Sequence, residues 1–128
     1  MANGAAIITA AENRFLNVGT PNWVYGANVN TNNGQAVITV NGDTGLGIDC
    51  SHFIYQTMLA AGYNVKYATA NTNSTNSFAK IATGAQTSSD YSSISASQAQ
   101  AGDLVGQYSC RWAYWLGCGF CNGSGQQI

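Results

Sequence analysis

Apolar residues at Ile7, Ile8, Ala11, Phe15 and Leu16 recur at helical spacing in an alanine-dense stretch and predict a helix over residues 3–17. Val18-Gly19-Thr20-Pro21 ends it, because Gly and Pro are poor continuations of a helix. Residues 28–34 are a polar, turn-rich loop. Residues 36–40 alternate as a short strand does, and Asn41-Gly42-Asp43 is a tight-turn signal, so a hairpin is expected before the next block. The clearest helix covers residues 50–61, where Cys50, Phe53, Ile54, Thr57, Met58 and Ala61 share one stripe and Gly62 is the stop. The pattern then weakens. A strand is expected over 65–68, a loop over 71–77 that caps a short helix at 78–83, and another loop over 85–90. Gly102-Asp103 reads as a turn feeding a strand at Leu104-Val105. No internal repeat is visible.

The length of 128 residues argues for one domain. Only 7% of residues are charged, so Asn, Ser, Thr, Gln and Gly must supply the polar surface. Net charge is −1, and Arg14, Lys66, Lys80 and Arg111 are scattered. Without a basic patch there is no electrostatic basis for a nucleic-acid partner. No apolar run reaches the ~20 residues of a membrane helix, so no membrane span is expected. Residues 1–11 lack the basic start and continuous apolar core of a classical secretory signal. A domain excised from a larger exported chain, or one delivered by an injection or lysis route, would both fit.

The four cysteines divide unevenly: Cys50 stands alone, while Cys110, Cys118 and Cys121 crowd the tail. An even count in a short chain raises a disulfide framework. Cys118 and Cys121 form a Cys-x-x-Cys pair, but a zinc site needs a second pair or His ligands, and a redox motif needs a βαβ context. Neither is expected. Cys50 falls at the first turn of an amphipathic helix, where unpaired backbone N–H groups favour negative charge and the reactive thiolate. The plainer alternative is a buried core cysteine, which spacing alone would favour.

Three blocks add to this. Gly19-Thr20-Pro21-Asn22-Trp23-Val24-Tyr25-Gly26 comes first, then Gly47-Ile48-Asp49-Cys50-Ser51-His52-Phe53, then Ala101-Gly102-Asp103-Leu104-Val105. In that order they resemble the NlpC-type bacterial cell-wall cysteine peptidases over residues 3–105, with His52 where the family usually has Gly. The resemblance implies one papain-like α+β domain: an N-terminal helix, and a Cys-bearing core helix packed on an antiparallel sheet. The atypical tail, residues 106–128, can leave the C-terminal sheet incomplete. By the same resemblance Cys50 is the nucleophile, and Asp49 and Ser51 help bind the substrate amine. Trp23 or Tyr25 stands in for the family's upstream Tyr, with core packing or turn filling as the alternative for both. Neither metal nor cofactor is implied.

The family's base is a His in a Gly-His-apolar-Gly pattern after the Gly-Asp-Leu-Val strand. Here that stretch, residues 106–117, holds no histidine, and the only one in the chain is His52. Two positions along a helix is about 200° around its axis, so His52 should point away from the thiol, toward a surface or groove. A base must come within about 3 Å of its nucleophile. The tail's codons are suggestive. Shifting the frame by one base makes Trp112-Ala113 give Gly, permits His and then Ile, and makes Trp115-Leu116 give Gly again. The tail is then either a frameshifted histidine strand, or native in a protein whose site was lost or rebuilt.

The resemblance thus implies hydrolysis of peptidoglycan amide bonds, an endopeptidase or amidase activity weakened in this chain by the absent His. It places the action in the bacterial periplasm or cell wall, as for an effector or lysin, with a stem peptide as substrate and an immunity or carrier protein as a possible partner. The alternatives are a non-catalytic or truncated cell-wall or peptide-binding module, and an acyl transferase on the same fold.

Overall fold

The computed structural model describes residues 4–25, 37–69, 76–109 and 114–120. The fold is α+β. The predicted N-terminal helix forms as α1 (Gly4–Ala11) and continues into a π-helical turn, Glu12–Leu16. There the Asn17 N–H reaches the Glu12 carbonyl at 2.8 Å, one residue wider than an α-helical bond. The predicted hairpin forms as β2 (Val37–Val40) and β3 (Asp43–Ile48), paired antiparallel. Asn41 and Gly42 both have positive φ, 50° and 87°, as a two-residue turn between twisted strands requires. The expected loop at residues 28–34 lies outside the described residues.

One strand went unpredicted. β1 (Trp23–Tyr25) adds in parallel to the other edge of β3, making a mixed sheet in the order β1-β3-β2. A strand expected at residues 65–68 does not form, because its backbone finds other partners. The Lys66 N–H goes to the Asp90 carboxylate at 2.9 Å, and only Thr69 pairs, in a single bridge with Ser77.

The long helix α2 (Cys50–Ala60) and the short α3 (Phe78–Thr83) fall where the periodicity predicts. Ser77 caps α3 through the Lys80 N–H. Ile7, Ile54, Met58, Ala68, Phe78 and Ile81 form the core that joins the three helices. Of the predicted α2 stripe, Ile54, Thr57 and Met58 are buried, and Cys50, Phe53 and Ala61 are partly buried against the core. Gln56 is buried off the stripe, and its Oε1 accepts from Arg14 at 3.2 Å.

After a 3₁₀ turn at Ala96–Gln98, β4 (Leu104–Ser109) and β5 (Tyr114–Phe120) pair antiparallel, with an irregularity between Gln107 and Tyr108. β5 lies alongside α2. The turn before β4 is pressed against α1. Gly102 has φ +90°, and a Cβ there would sit 2.5 Å from the Gly4 Cα. Gly62 has a similar φ, +94°, but open space around it. Gly102→Ala should therefore lower stability by more than about 2 kcal/mol and Gly62→Ala by about 1 kcal/mol, read by urea unfolding. Equal losses would show that α1 and the turn do not meet.

Candidate active site

The sheet delivers the chain to the start of α2. Trp23 pairs with Leu46, Val24 with Gly47 and Tyr25 with Ile48, so the upstream sequence block runs beside the residues that lead into Asp49 and Cys50. Asp49 is extended, with φ −105° and ψ 177°, and caps the helix. Its Oδ1 accepts from the His52 backbone N–H at 2.9 Å, the bond an N-cap carboxylate is suited to make. Cys50 is thereby fixed as the first residue of α2.

The same oxygen gathers two more groups. Ser51 Oγ donates to it at 3.0 Å, and His52 Nδ1 lies 2.7 Å away. An ionised carboxylate only accepts, so Nδ1 carries the proton and Nε2 is left as the basic nitrogen. Tyr67 closes the cluster: its hydroxyl is 2.8 Å from Ser51 Oγ, and its ring stacks on His52 at 4.5 Å and 33°. Tyr55 meets Tyr67 edge-on at 5.7 Å. Ser51 is only 4% exposed.

Cys50 is half-buried and in no disulfide. It packs toward the apolar core, one turn above Ile54, whereas His52 turns toward Tyr67. The divergence of the two side chains is the one expected from their spacing. Of the surface or groove position expected for His52, the structure shows the more enclosed one: 15% of its side chain is exposed, with Asp49 at Nδ1 and Tyr67 against the ring.

Of the other expected site residues, Trp23 enters an aromatic stack. Its ring is 4.8 Å from Phe15, which is 5.0 Å from Phe53. The Trp23 Nε1 is buried with no hydrogen-bond partner among the described residues. Tyr25 is 68% exposed at the end of β1, opposite Ile48. The structure therefore joins Asp49 and Ser51 in one hydrogen-bonded cluster with His52, packs Cys50 toward the core between them in sequence, leaves Tyr25 exposed and uses Trp23 for packing.

Tyr67 was missed. It follows the helix in extended chain, and no fixed spacing links it to Ser51. The shifted-frame His would span the codons of Ala113 and Tyr114; Tyr114 opens β5, while Ala113 lies outside the described residues, as do Cys110 and Cys121. Cys118 belongs to β5, opposite Gly106. Among the described residues no three His, Cys, Asp or Glu gather as a metal site would need, and no helix is long and apolar enough to cross a membrane. Compared with known proteins, the chain matches no family model, no curated protein and no solved structure.

Proposed function

We propose that this chain is a papain-like, NlpC-type domain built to hydrolyse peptidoglycan amide bonds with Cys50 as nucleophile. One arrangement carries the reading: the Asp49-capped helix α2 begins at the half-buried Cys50, and a strand of an antiparallel pair, β5, runs beside the same helix. That is where a base strand must lie if a His is to reach the thiol.

In the proposed reaction the Cys50 sulfur attacks the stem-peptide carbonyl and forms a tetrahedral oxyanion. The Ser51 N–H, in the unsatisfied first turn of α2, is a donor suited to that oxyanion. Collapse breaks the C–N bond, the amine leaves with a proton, and a thioester remains on Cys50 until water releases the acid. Asp49, 27% exposed, is the carboxylate that would meet a substrate amine, while Ser51 orients it by donating to its Oδ1. His52 serves this carboxylate through Nδ1 and is placed to hold it, not to take the thiol proton. The domain would act on the cell wall in the periplasm or outside the cell.

Two outcomes follow for the chain as it stands. Iodoacetamide at mildly acidic pH, mapped by mass spectrometry, should label Cys50 before Cys110, Cys118 or Cys121. Release of stem-peptide fragments from purified cell wall should be at or near background, because losing one member of a nucleophile–base unit costs orders of magnitude in rate. Tail-first labelling would count against Cys50 as the activated thiol. Robust release that disappears in Cys50→Ala would reveal a base already present, with His52 the first to test.

A further inference from the structure

One turn beyond Cys50, α2 borders a cavity of about 380 Å³. Its floor is apolar: Ile7 of α1, Ile54 and Met58 of α2, and Ile81 of α3, all buried core residues. Phe78 and Tyr91 form a wall, edge to face at 5.3 Å and 74°. Two carboxylates, Asp90 and Asp103, stand on the more open side.

Each carboxylate spends one oxygen on the backbone. Asp90 Oδ2 accepts from the Lys66 N–H at 2.9 Å, and Asp103 Oδ2 from the Gln100 N–H at 2.7 Å. The second oxygen of each has no hydrogen-bond partner among the described residues. Among the described residues no Lys or Arg lines the cavity. The Tyr91 hydroxyl is buried in the wall with no hydrogen-bond partner among the described residues. Burial first, and the Asp90 charge second, hold it well above the usual phenol range, so it stays neutral.

The volume falls in the range of small-molecule sites, roughly 300–1,000 Å³. An apolar floor favours a hydrocarbon or aromatic body. Two carboxylates at a lining without Lys or Arg among the described residues favour a positive head and repel a negative one. We infer that this cavity binds a small amphipathic cation, with its alkyl or aryl body on Ile7, Ile54, Met58 and Ile81 and its ammonium between Asp90 and Asp103. Cys50 does not line the cavity, and the inference stands whether or not the hydrolase reading does.

Three ligands of one chain length separate the contributions: n-hexylammonium, 1-hexanol and hexanoate. Each is titrated into the full chain at neutral pH and low salt, with methyl chemical shifts of Ile54, Met58 and Ile81 as the readout. n-Hexylammonium should bind about tenfold tighter than hexanoate and several-fold tighter than hexanol. Asp90→Asn, at an exposed position, and the double variant with Asp103→Asn keep an oxygen for the Lys66 and Gln100 N–H groups. In the double variant the ammonium advantage over hexanol should vanish, and in Asp90→Asn alone it should shrink. Equal affinity for all three ligands, shifts confined to other residues, or no binding of the ammonium at millimolar concentration would overturn the inference.

Discussion

Replacing the tail from residue 106 onward with the peptide of the shifted reading frame should raise stem-peptide release by at least about a hundredfold, the contribution of a placed general base. Cys50→Ala should then remove the gain. The shifted frame can read Gly-His-Ile-Gly and then Trp-Val-Val-Gly-Phe, a strand with one apolar face and a His on it. A strand beside α2 needs that alternation, one side toward the core and the other toward the site. The tail as it stands instead has Gln107 and Ser109 in β4, and Arg111 lies outside the described residues. The β4–β5 pairing carries an irregularity at Gln107/Tyr108, inside that same stretch. Burying polar groups without partners costs of order 1–3 kcal/mol each, a sizeable part of a domain's roughly 5–15 kcal/mol. The shifted chain should therefore also unfold at higher temperature. If the written chain melts as cooperatively and as high, the frameshift idea fails on stability. If the shifted chain is stable yet inert, the Cys–His assignment fails instead.

Asp49→Ala should destabilise the protein by about 2–4 kcal/mol, far more than a surface substitution. Three groups converge on one Asp49 oxygen: the His52 N–H, the Ser51 hydroxyl and the His52 imidazole. Loss of an N-cap alone costs about 1–2 kcal/mol. Ser51 and His52 then lose their acceptor in a largely buried setting, at about 1 kcal/mol or more each. The three bonds share one atom, so these costs overlap and do not simply add. Asp49→Asn separates cap from charge. Asn caps a helix as well as Asp does, so this variant should lose only about 1 kcal/mol, mostly from the His52 contact. Urea unfolding of both variants gives the answer. An Asp49→Ala protein as stable as the parent would mean that the cap cluster does not hold the start of α2.

The α2 helix was legible because its apolar positions are dense, regularly spaced and closed by Gly62. The β2–β3 hairpin was legible from Asn41-Gly42, a pair whose backbone freedom suits few other structures. β1 escaped notice because three residues carry no period, and its partner comes from β3, some twenty positions on. The stretch expected as a strand at residues 65–68 does not keep one face buried: Lys66 is exposed, Val65 and Tyr67 are half-buried and Ala68 is buried. Its residue types do not report whether another strand is there to pair. The π-helical turn at Glu12–Leu16 keeps an apolar pattern close to that of an α-helix, and only the backbone bond distinguishes it.

In the site, the place of Cys50 in the first turn of α2 was readable from helix periodicity, whereas Asp49 came from the family resemblance and its role as the cap is seen in the structure. Tyr67 was not readable, because its contact with Ser51 and His52 depends on how the chain returns after α2. His52 was half readable. Its rotation away from the thiol follows from helix geometry, but its anchoring by Asp49 and Tyr67 depends on tertiary structure. Trp23 and Tyr25 lie two positions apart on β1 and share a face, yet Trp23 packs on Phe15 and Tyr25 is exposed at the strand's end, so the parity of the strand does not separate them.

The central claim is that Cys50 forms the acyl intermediate. The most direct measurement is the mass of the shifted-tail protein after brief incubation with purified stem peptides and an acid quench, followed by peptide mapping. The account predicts an acyl increment on the peptide containing Cys50, removed by hydroxylamine and absent in Cys50→Ala. An increment on another residue, or cell-wall cleavage that survives Cys50→Ala, would contradict it.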